Sequence, residues 1–364
     1  MQKTIPIFQI RGGSSKGLYF NAADLPSNEI ERNKVVLLAM EGTLQGDARQ
    51  IDGLGGGTSL TSKVAVVSLS KTEGVDLDYL FLQVVVGKGK VSTTQTCGNI
   101  LAGVLPFAIE TGMIKADDGI TSAKILMVNT GGICEVSVQT PNGKMNYAGN
   151  AKVDGVPGTA APIICNYLDI EGSTCGSLLP TGNVIDVVDG IEITCIDNGM
   201  PSVILRAKDL GITGYESPAE LDANEALKQR LESIRLQIGP KMKLGDVSEQ
   251  TIPKMCLISE PQNGGIINTR TFIPHVCHEA IGVLGAVSVA TAYIISPLAP
   301  RGGTNNNDLS LITHNSSLSI EHPTGEFTVN LETIIENNQL KIKRSGVVRT
   351  ARLLSRGEVF IPEN

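Results

Sequence analysis

Two segments, Asn99–Glu110 and Val283–Ile295, constrain the fold more than any other part of the chain. Both are rich in Ala, Gly, Val and Leu or Ile, almost free of charge, and long enough for a helix. A helix that is apolar on every side must be enclosed by protein. Each half of the chain holds one such segment, and most of the surrounding sequence is strand-like. Val64–Leu69, Leu80–Val86, Ile125–Val128, Cys134–Val138, Val184–Val188, Ile191–Ile196, Val203–Leu205 and Gly325–Leu331 are apolar or β-branched and punctuated by Gly, Asn, Asp and Pro. Asn33–Gly42 and the charged surface stretch Leu221–Leu236 supply two further helices. The regular strand–helix alternation of a doubly wound sheet or a TIM barrel is missing. The pattern predicts an α+β protein of two pseudo-symmetric domains, each a curled, mainly antiparallel sheet around a central helix. The division is drawn beyond the PGTAAP and LPTGN stretches, giving residues 1–185 and 186–364, with the terminal strand left free to cross back.

Residues 280–299 carry no charge over about 20 residues, roughly the length that spans a bilayer. They also contain Gly282, Gly285, Ser288, Thr291, Ser296 and Pro297, and no second segment resembles them, so a buried core helix is expected and no membrane association. With 30 Lys plus Arg against 37 Asp plus Glu, the net charge is −7, which lacks the positive field that a general nucleic-acid binder needs. The seven cysteines form no CxxC pair, so neither a disulfide framework nor a zinc knuckle is suggested. No long apolar stretch precedes Arg11, which argues against a secretory signal. A reduced, cytoplasmic setting fits these features, and a homodimer is a possible assembly.

Four segments have the residue types that chemistry needs. Arg11–Gly17, RGGSSKG, combines glycines, two cations and the hydroxyls of Ser14 and Ser15, and reads either as an anion-holding turn or as a plain glycine turn. Asp52–Lys63 is a second glycine loop; it lacks the spacing of a dinucleotide or Walker A loop, because its lysine follows Thr61 and Ser62 and a strand comes next. Lys63, entering that strand, is either a partly shielded general base or a lysine with its head in water. Cys97 stands immediately before an apolar helix, where open amides at Gly98 and Asn99 favour a thiolate or bind a carboxylate, unless the thiol is simply part of the core. In the second half, Arg270 and His278 precede the other apolar helix and read as carboxylate donors or as a surface arginine and a satisfied histidine. Adjacent Cys277 and His278, with His275, do not make a convincing metal set, and Asp308, His314, Glu321 and His322 show no ligand spacing. No metal and no cofactor is expected.

The motifs RGGSSKG, GLGGGTSLTSK, QTCGN, DGVPGTAAP, LPTGN and the CH…LGA helix occur in order along nearly the whole chain, with HPTG at His322–Gly325 as a seventh. In this the chain resembles the PrpF family of allylic isomerases, which act on unsaturated acids such as 2-methylaconitate, methylitaconate and 4-oxalomesaconate. The NTRTFIPHVCH segment leans toward the oxalomesaconate branch. The resemblance implies the diaminopimelate epimerase-like fold, with a lysine matching Lys63 and a cysteine matching Cys97 as the implicated pair. The epimerase itself has a cysteine before each central helix. Here the second helix opens Gly282–Val283–Leu284–Gly285–Ala286, without that thiol, and with leucine at Leu284 where relatives often have threonine.

The function this implies is a cofactor-independent 1,3-proton shift in a small unsaturated di- or tricarboxylate. Lys63 and Cys97 would take and return the proton. Ser14, Ser15, Thr61, Ser62, Gly98, Asn99, Arg270 and His278 would hold the carboxylates. An amino-acid epimerase is the nearest competing enzyme, and a non-catalytic carboxylate-binding protein the competitor outside catalysis.

Overall fold

The computed structural model describes residues 1–93, 96–299, 316–336 and 339–362; Gln95, Asp308 and His314 lie outside them. The chain divides into two compact units, Met1–Leu168 with Val348–Asn364, and Asp169–Val347. The second unit thus begins earlier than residue 186. Asp197 is the reason: its carbonyl accepts from the Gly172 amide at 2.8 Å, and its carboxylate accepts from the amides of Thr174 (2.8 Å) and Cys175 (2.7 Å).

The first unit contains β1 (Gln2–Gly12), β2 (Ser15–Asn21), α1 (Glu29–Glu41), β3 (Lys63–Leu69), β4 (Leu77–Val85), β5 (Lys90–Ser92), α2 (Gly98–Leu101), α3 (Val104–Glu110), β6 (Gly119–Met127), β7 (Gly132–Thr140) and β8 (Ile163–Tyr167). The second contains β9 (Asp186–Val188), β10 (Ile191–Asp197), β11 (Pro201–Arg206), α4 (Pro218–Ala223), α5 (Glu225–Ile238), β12 (Lys254–Ser259), β13 (Ile267–Phe272), α6 (Val283–Ile295), β14 (Ser316–His322) and β15 (Gly325–Glu336). Strand β16 (Gln339–Arg349) spans the division, and β17 (Ala351–Pro362) belongs to the first unit, paired antiparallel with β1 from Gln2↔Pro362 to Gly12↔Ala351.

One strand plan is used twice. In the first unit β1–β2 is antiparallel, β2–β3 parallel, β3–β4 antiparallel, β4–β6 parallel, and β6–β7 and β7–β8 antiparallel. In the second, β10–β11, β11–β12, β12–β13, β13–β14, β14–β15 and β15–β16 repeat that sequence of directions. Strand β17 flanks β1 as β9 flanks β10.

Each sheet has apolar residues on both faces. The face carrying Ile5, Val64, Val66 and Leu82 packs on Val35, Val36 and Met40 of α1. Its counterpart, with Ile193, Leu205, Met255 and Leu257, packs on Leu227, Leu231, Ile234 and Ile238 of α5. The opposite faces enclose α2–α3, which touch β1, β2, β3 and β7, and α6, which touches β10, β11, β14 and β15. Ile100, Leu101, Leu105 and Ala108 are fully buried, as are Ala286, Val287, Val289 and Ala290. Polar groups tie α6 into the second unit, with Ser288 donating to the Met200 carbonyl and Asn198 Nδ2 to both Thr291 and Ser345.

Helix α6 has the limits expected from sequence, whereas three other helices differ for local reasons. The segment expected as one helix over 99–110 is two, because Pro106 lacks the amide that would bond residue 102 and its ring crowds that carbonyl. Leu221–Leu236 is interrupted at Asn224, whose side chain caps α5 through the Leu227 amide at 3.1 Å. Helix α1 starts four residues before Asn33 because Asn28 accepts the Glu31 amide at 3.1 Å. No helix among the described residues is long and apolar enough to cross a membrane.

Candidate active site

The β1–β2 hairpin turns at Gly13 and Ser14, with Gly13 at φ +50°. The turn is fixed from behind: the Gly13 amide donates to the Thr350 carbonyl (2.8 Å), and Arg11 Nη1 donates to the Gly13 carbonyl (2.8 Å) and to Thr350. A side chain at Gly12 would strike the Asn99 carbonyl, and one at Gly13 the Asn99 side chain. The glycines therefore allow α2 to start directly against the hairpin, where Asn99 Nδ2 donates to Ser14 Oγ at 3.2 Å. Arg11, read from sequence with the anion-holding turn, serves this turn as a brace.

Cys97 is the N-cap of α2, with φ −131° and ψ 106°, and its thiol makes no capping bond. The first helical bond runs from the Leu101 amide to the Cys97 carbonyl (2.9 Å), which leaves the amides of Gly98 and Asn99 at the open end. Two buried tyrosines hold this end in place. Tyr19 OH donates to the Ile100 carbonyl at 2.6 Å and Tyr79 OH to the Cys97 carbonyl at 3.1 Å. Burial first, and then Cys97, keeps both phenols well above their ordinary value near 10, so they remain donors.

Lys63 opens β3 and is 8% exposed. Its Nζ donates to Gln83 Oε1 at 2.7 Å and lies 5.1 Å from the centre of the Phe81 ring. Gln83 cannot turn away, because its amide nitrogen donates to the carbonyls of Ser59, Ser62 and Val84. Side chains alternate along a strand, so Tyr79, Phe81 and Gln83 share one face of β4. That row holds Lys63 at one end and the Cys97 carbonyl at the other. On β2 the same face carries Ser15, Gly17 and Tyr19, with Gly17 paired to Lys63. Ser15 is 2% exposed, and its hydroxyl has no partner among the described residues. Lys63, Cys97, Ser14, Ser15, Gly98 and Asn99 are thus gathered around one face of the first unit.

Thr61 and Ser62 are occupied within the loop. Thr61 Oγ1 bonds Thr58, and Ser62 Oγ donates to Gln50 Oε1 at 2.8 Å. Gln50 also accepts the Gly57 amide at 2.8 Å, and the Leu54 and Gly55 amides cap carbonyls at the end of α1. The glycine loop is a close-packed connection from α1 to β3, and the two hydroxyls stabilise it.

In the second unit Arg270 faces away from α6, on the side of Asn268 and Phe272. Its Nε donates to the Glu216 carbonyl (2.7 Å), and Nη1 donates to Asn268 Oδ1 (3.0 Å) and the Thr269 carbonyl (2.8 Å). Its guanidinium ties the 214–216 loop to β13. His278 is half-buried before α6, and its Nδ1 accepts the Ala280 amide at 2.8 Å, which leaves Nε2–H as the donor of the neutral ring. Burial first, then Lys254, lowers its pKa. Gly282 is the N-cap of α6, the place Cys97 has before α2, and Cys277 is a buried thiol pushed up to about 12 by burial.

Sequence reasoning missed Gln83, Tyr79 and Arg349. Gln83 was visible as the one amide in the apolar run LFLQVVV. Arg349 is 6% exposed and lies within electrostatic reach of Cys97, Cys165 and Tyr167, which oppose the lowering of its pKa by burial. No local signal marks it, since it comes from the far end of the chain.

The duplicated, helix-enclosing sheet is the diaminopimelate epimerase-like fold, and the relatives of this chain make it an isomerase. The chain belongs to the PrpF family, whose profile, described as PrpF protein, matches residues 2–362. It is 52% identical to 4-oxalomesaconate tautomerase of Pseudomonas putida, covering 99% of this chain and 97% of the relative. It is 50% identical to (4E)-oxalomesaconate Delta-isomerase of a Novosphingobium strain, covering 98% and 97%. The crystal structure of methylitaconate-delta-isomerase superposes with a TM-score of 0.84 at 30% identity, covering 99% of this chain and 96% of that one.

Proposed function

We propose that the protein interconverts tautomers of 4-oxalomesaconate, moving an allylic proton without a cofactor. What carries the reading is the single row Tyr79–Phe81–Gln83, which supports both Lys63 and the cap residue Cys97. The substrate's proton is acidified by a neighbouring keto or carboxylate group. One member of the Lys63–Cys97 pair takes the proton and the other delivers one two carbons away, through a dienolate held by preorganised donors. The Ser15 hydroxyl and the amides of Gly98 and Asn99 are the donors offered to the dienolate and its carboxylates, and Ser14 orients Asn99. Two-thiol epimerisation of an amino acid is disfavoured by Gly282 at the cap of α6. Two relatives at half identity or more are named for oxalomesaconate, which supports that acid over methylitaconate or 2-methylaconitate.

The test incubates the enzyme with 4-oxalomesaconate, 2-methylaconitate and methylitaconate in D₂O and follows proton NMR. The expected result is tautomer exchange fastest for 4-oxalomesaconate, with deuterium entering at the allylic carbon. Absence of turnover with all three acids overturns the reading.

A further inference from the structure

The repeated strand plan identifies a residue that sequence patterns do not. Lys63 is the first residue of β3 and pairs in parallel with Gly17 of β2. Lys254 is the first residue of β12 and pairs in parallel with Ser202 of β11, so it takes the place of Lys63 in the second unit. Alternation along β12 sends Met255 and Leu257 into the core against α5 and leaves Lys254 and Cys256 on the face toward α6. The register supports this: Cys256 is paired with Thr271, whose hydroxyl lies 3.5 Å from its sulfur.

The two lysines differ in what restrains them. Opposite Lys63 stands Gln83, which accepts its ammonium. Lys254 precedes the Met255↔Phe272 pair, at which β13 ends, so no residue of β13 is paired with it. Lys254 Nζ donates to the Thr251 carbonyl at 2.7 Å, and no carboxylate forms an ion pair with it among the described residues. An ammonium has three hydrogens to donate, so a half-buried one with a single neutral acceptor still has donors to offer. His278 is its electrostatic neighbour; the backbone amide of His278 is bonded to the Thr271 carbonyl, and its ring has Nε2–H to give. Glu279, the acid that acts on that ring, is solvent-exposed.

We propose that Lys254, together with His278 Nε2–H, forms a carboxylate-binding point of the second unit. This rests on the tautomerase reading for its ligand. It replaces Arg270, whose Nε and Nη1 are engaged on the opposite face, as the second unit's recognition cation.

The experiment measures kcat and KM for 4-oxalomesaconate, and calorimetric Kd for the non-isomerisable probe propane-1,2,3-tricarboxylate, in wild type, Lys254→Gln, Lys254→Arg and His278→Gln. Losing one charge-assisted hydrogen bond should raise KM and Kd about 10- to 100-fold in Lys254→Gln, with kcat near that of wild type. Lys254→Arg should recover most of the affinity, and His278→Gln should weaken binding in the same sense. A folded Lys254→Gln that binds the probe as wild type does overturns the proposal. If that variant does not fold, wild-type affinity in His278→Gln overturns it instead. Failure of wild type to turn over any of the unsaturated acids sinks the tautomerase reading, whereas unchanged affinity in an active variant sinks only this inference.

Discussion

Before its enclosed helix the first unit has Cys97, and before its own the second has Gly282. At the matching strand start the first has Lys63 locked to Gln83, and the second has Lys254 beyond the last paired residue of β13. The strand directions agree pair by pair, so these differences are not differences of frame. They show that repeating a fold does not oblige a protein to repeat its chemistry. A glutamine and two tyrosines fix Lys63 and the start of α2 in the first unit, the fixed geometry that the proposed proton transfer demands. In the second unit Lys254 and His278 are the groups proposed for a ligand's carboxylate.

The strongest way to break this contrast is Lys63→Ala. Removal of a general acid or base typically costs about 10² to 10⁴-fold, and kcat should fall toward the upper end of that range with the far-ultraviolet dichroism unchanged. Cys97→Ser should cost less but still about 10²-fold, while Cys277→Ser should leave kcat near wild type, both read from deuterium entry by proton NMR. A wild-type rate in Cys97→Ser would make Cys97 part of the packing and remove half of the proposed pair. The seven thiols sharpen the same point. The other six are buried, with Cys175 and Cys277 pushed up to about 12 and Cys256 to about 11, so iodoacetamide should label Cys97 first in the folded protein. Mass spectrometry showing another cysteine labelled as fast would contradict this.

A smaller effect is expected at the strand pairing itself. A methyl at Gly17 would press on the Lys63 carbonyl and the Ile100 side chain, so Gly17→Ala should cost about 1–3 kcal/mol in denaturant unfolding. Ser202, its counterpart beside Lys254, already has a side chain, and Ser202→Gly should not gain stability in return. The smallest effect concerns His278. Its folded pKa lies below the ordinary 6.5, so as pH falls through 6.5 the unfolded chain takes up the proton first and stability drops. His278→Gln should reduce that loss, measured as the difference in urea midpoints between pH 7.5 and 5.

The parts legible in sequence were those written in local chemistry. The uncharged helix Val283–Ile295 was found to the residue, and Cys97 and Lys63 were picked out because a thiol at a helix mouth and a lysine entering an apolar strand are both locally unusual. What escaped depends on pairing across the chain. Lys254 is ordinary until β11 and β12 are aligned with β2 and β3. Thr61 and Ser62 resembled ligand donors because the sequence does not reveal Gln50 and Thr58 beside them. Arg270 resembled one for the same reason, its partners lying in the 214–216 loop and on its own strand. Strand β17 carries charge at Arg352, Arg356 and Glu358, which hides the inward residues Ala351, Val359 and Ile361.

The pairing of β17 with β1 has a consequence for synthesis. A ribosome releases β1 before the second unit and β17 after it, so the β1–β17 pairing must wait until Asp169–Val347 has been made. The stretch from Asp169 to Val347 has its own sheet and core and can settle while β1 is still waiting. The second unit should therefore become protease-resistant on stalled nascent chains before the first, reversing the usual order from the amino terminus.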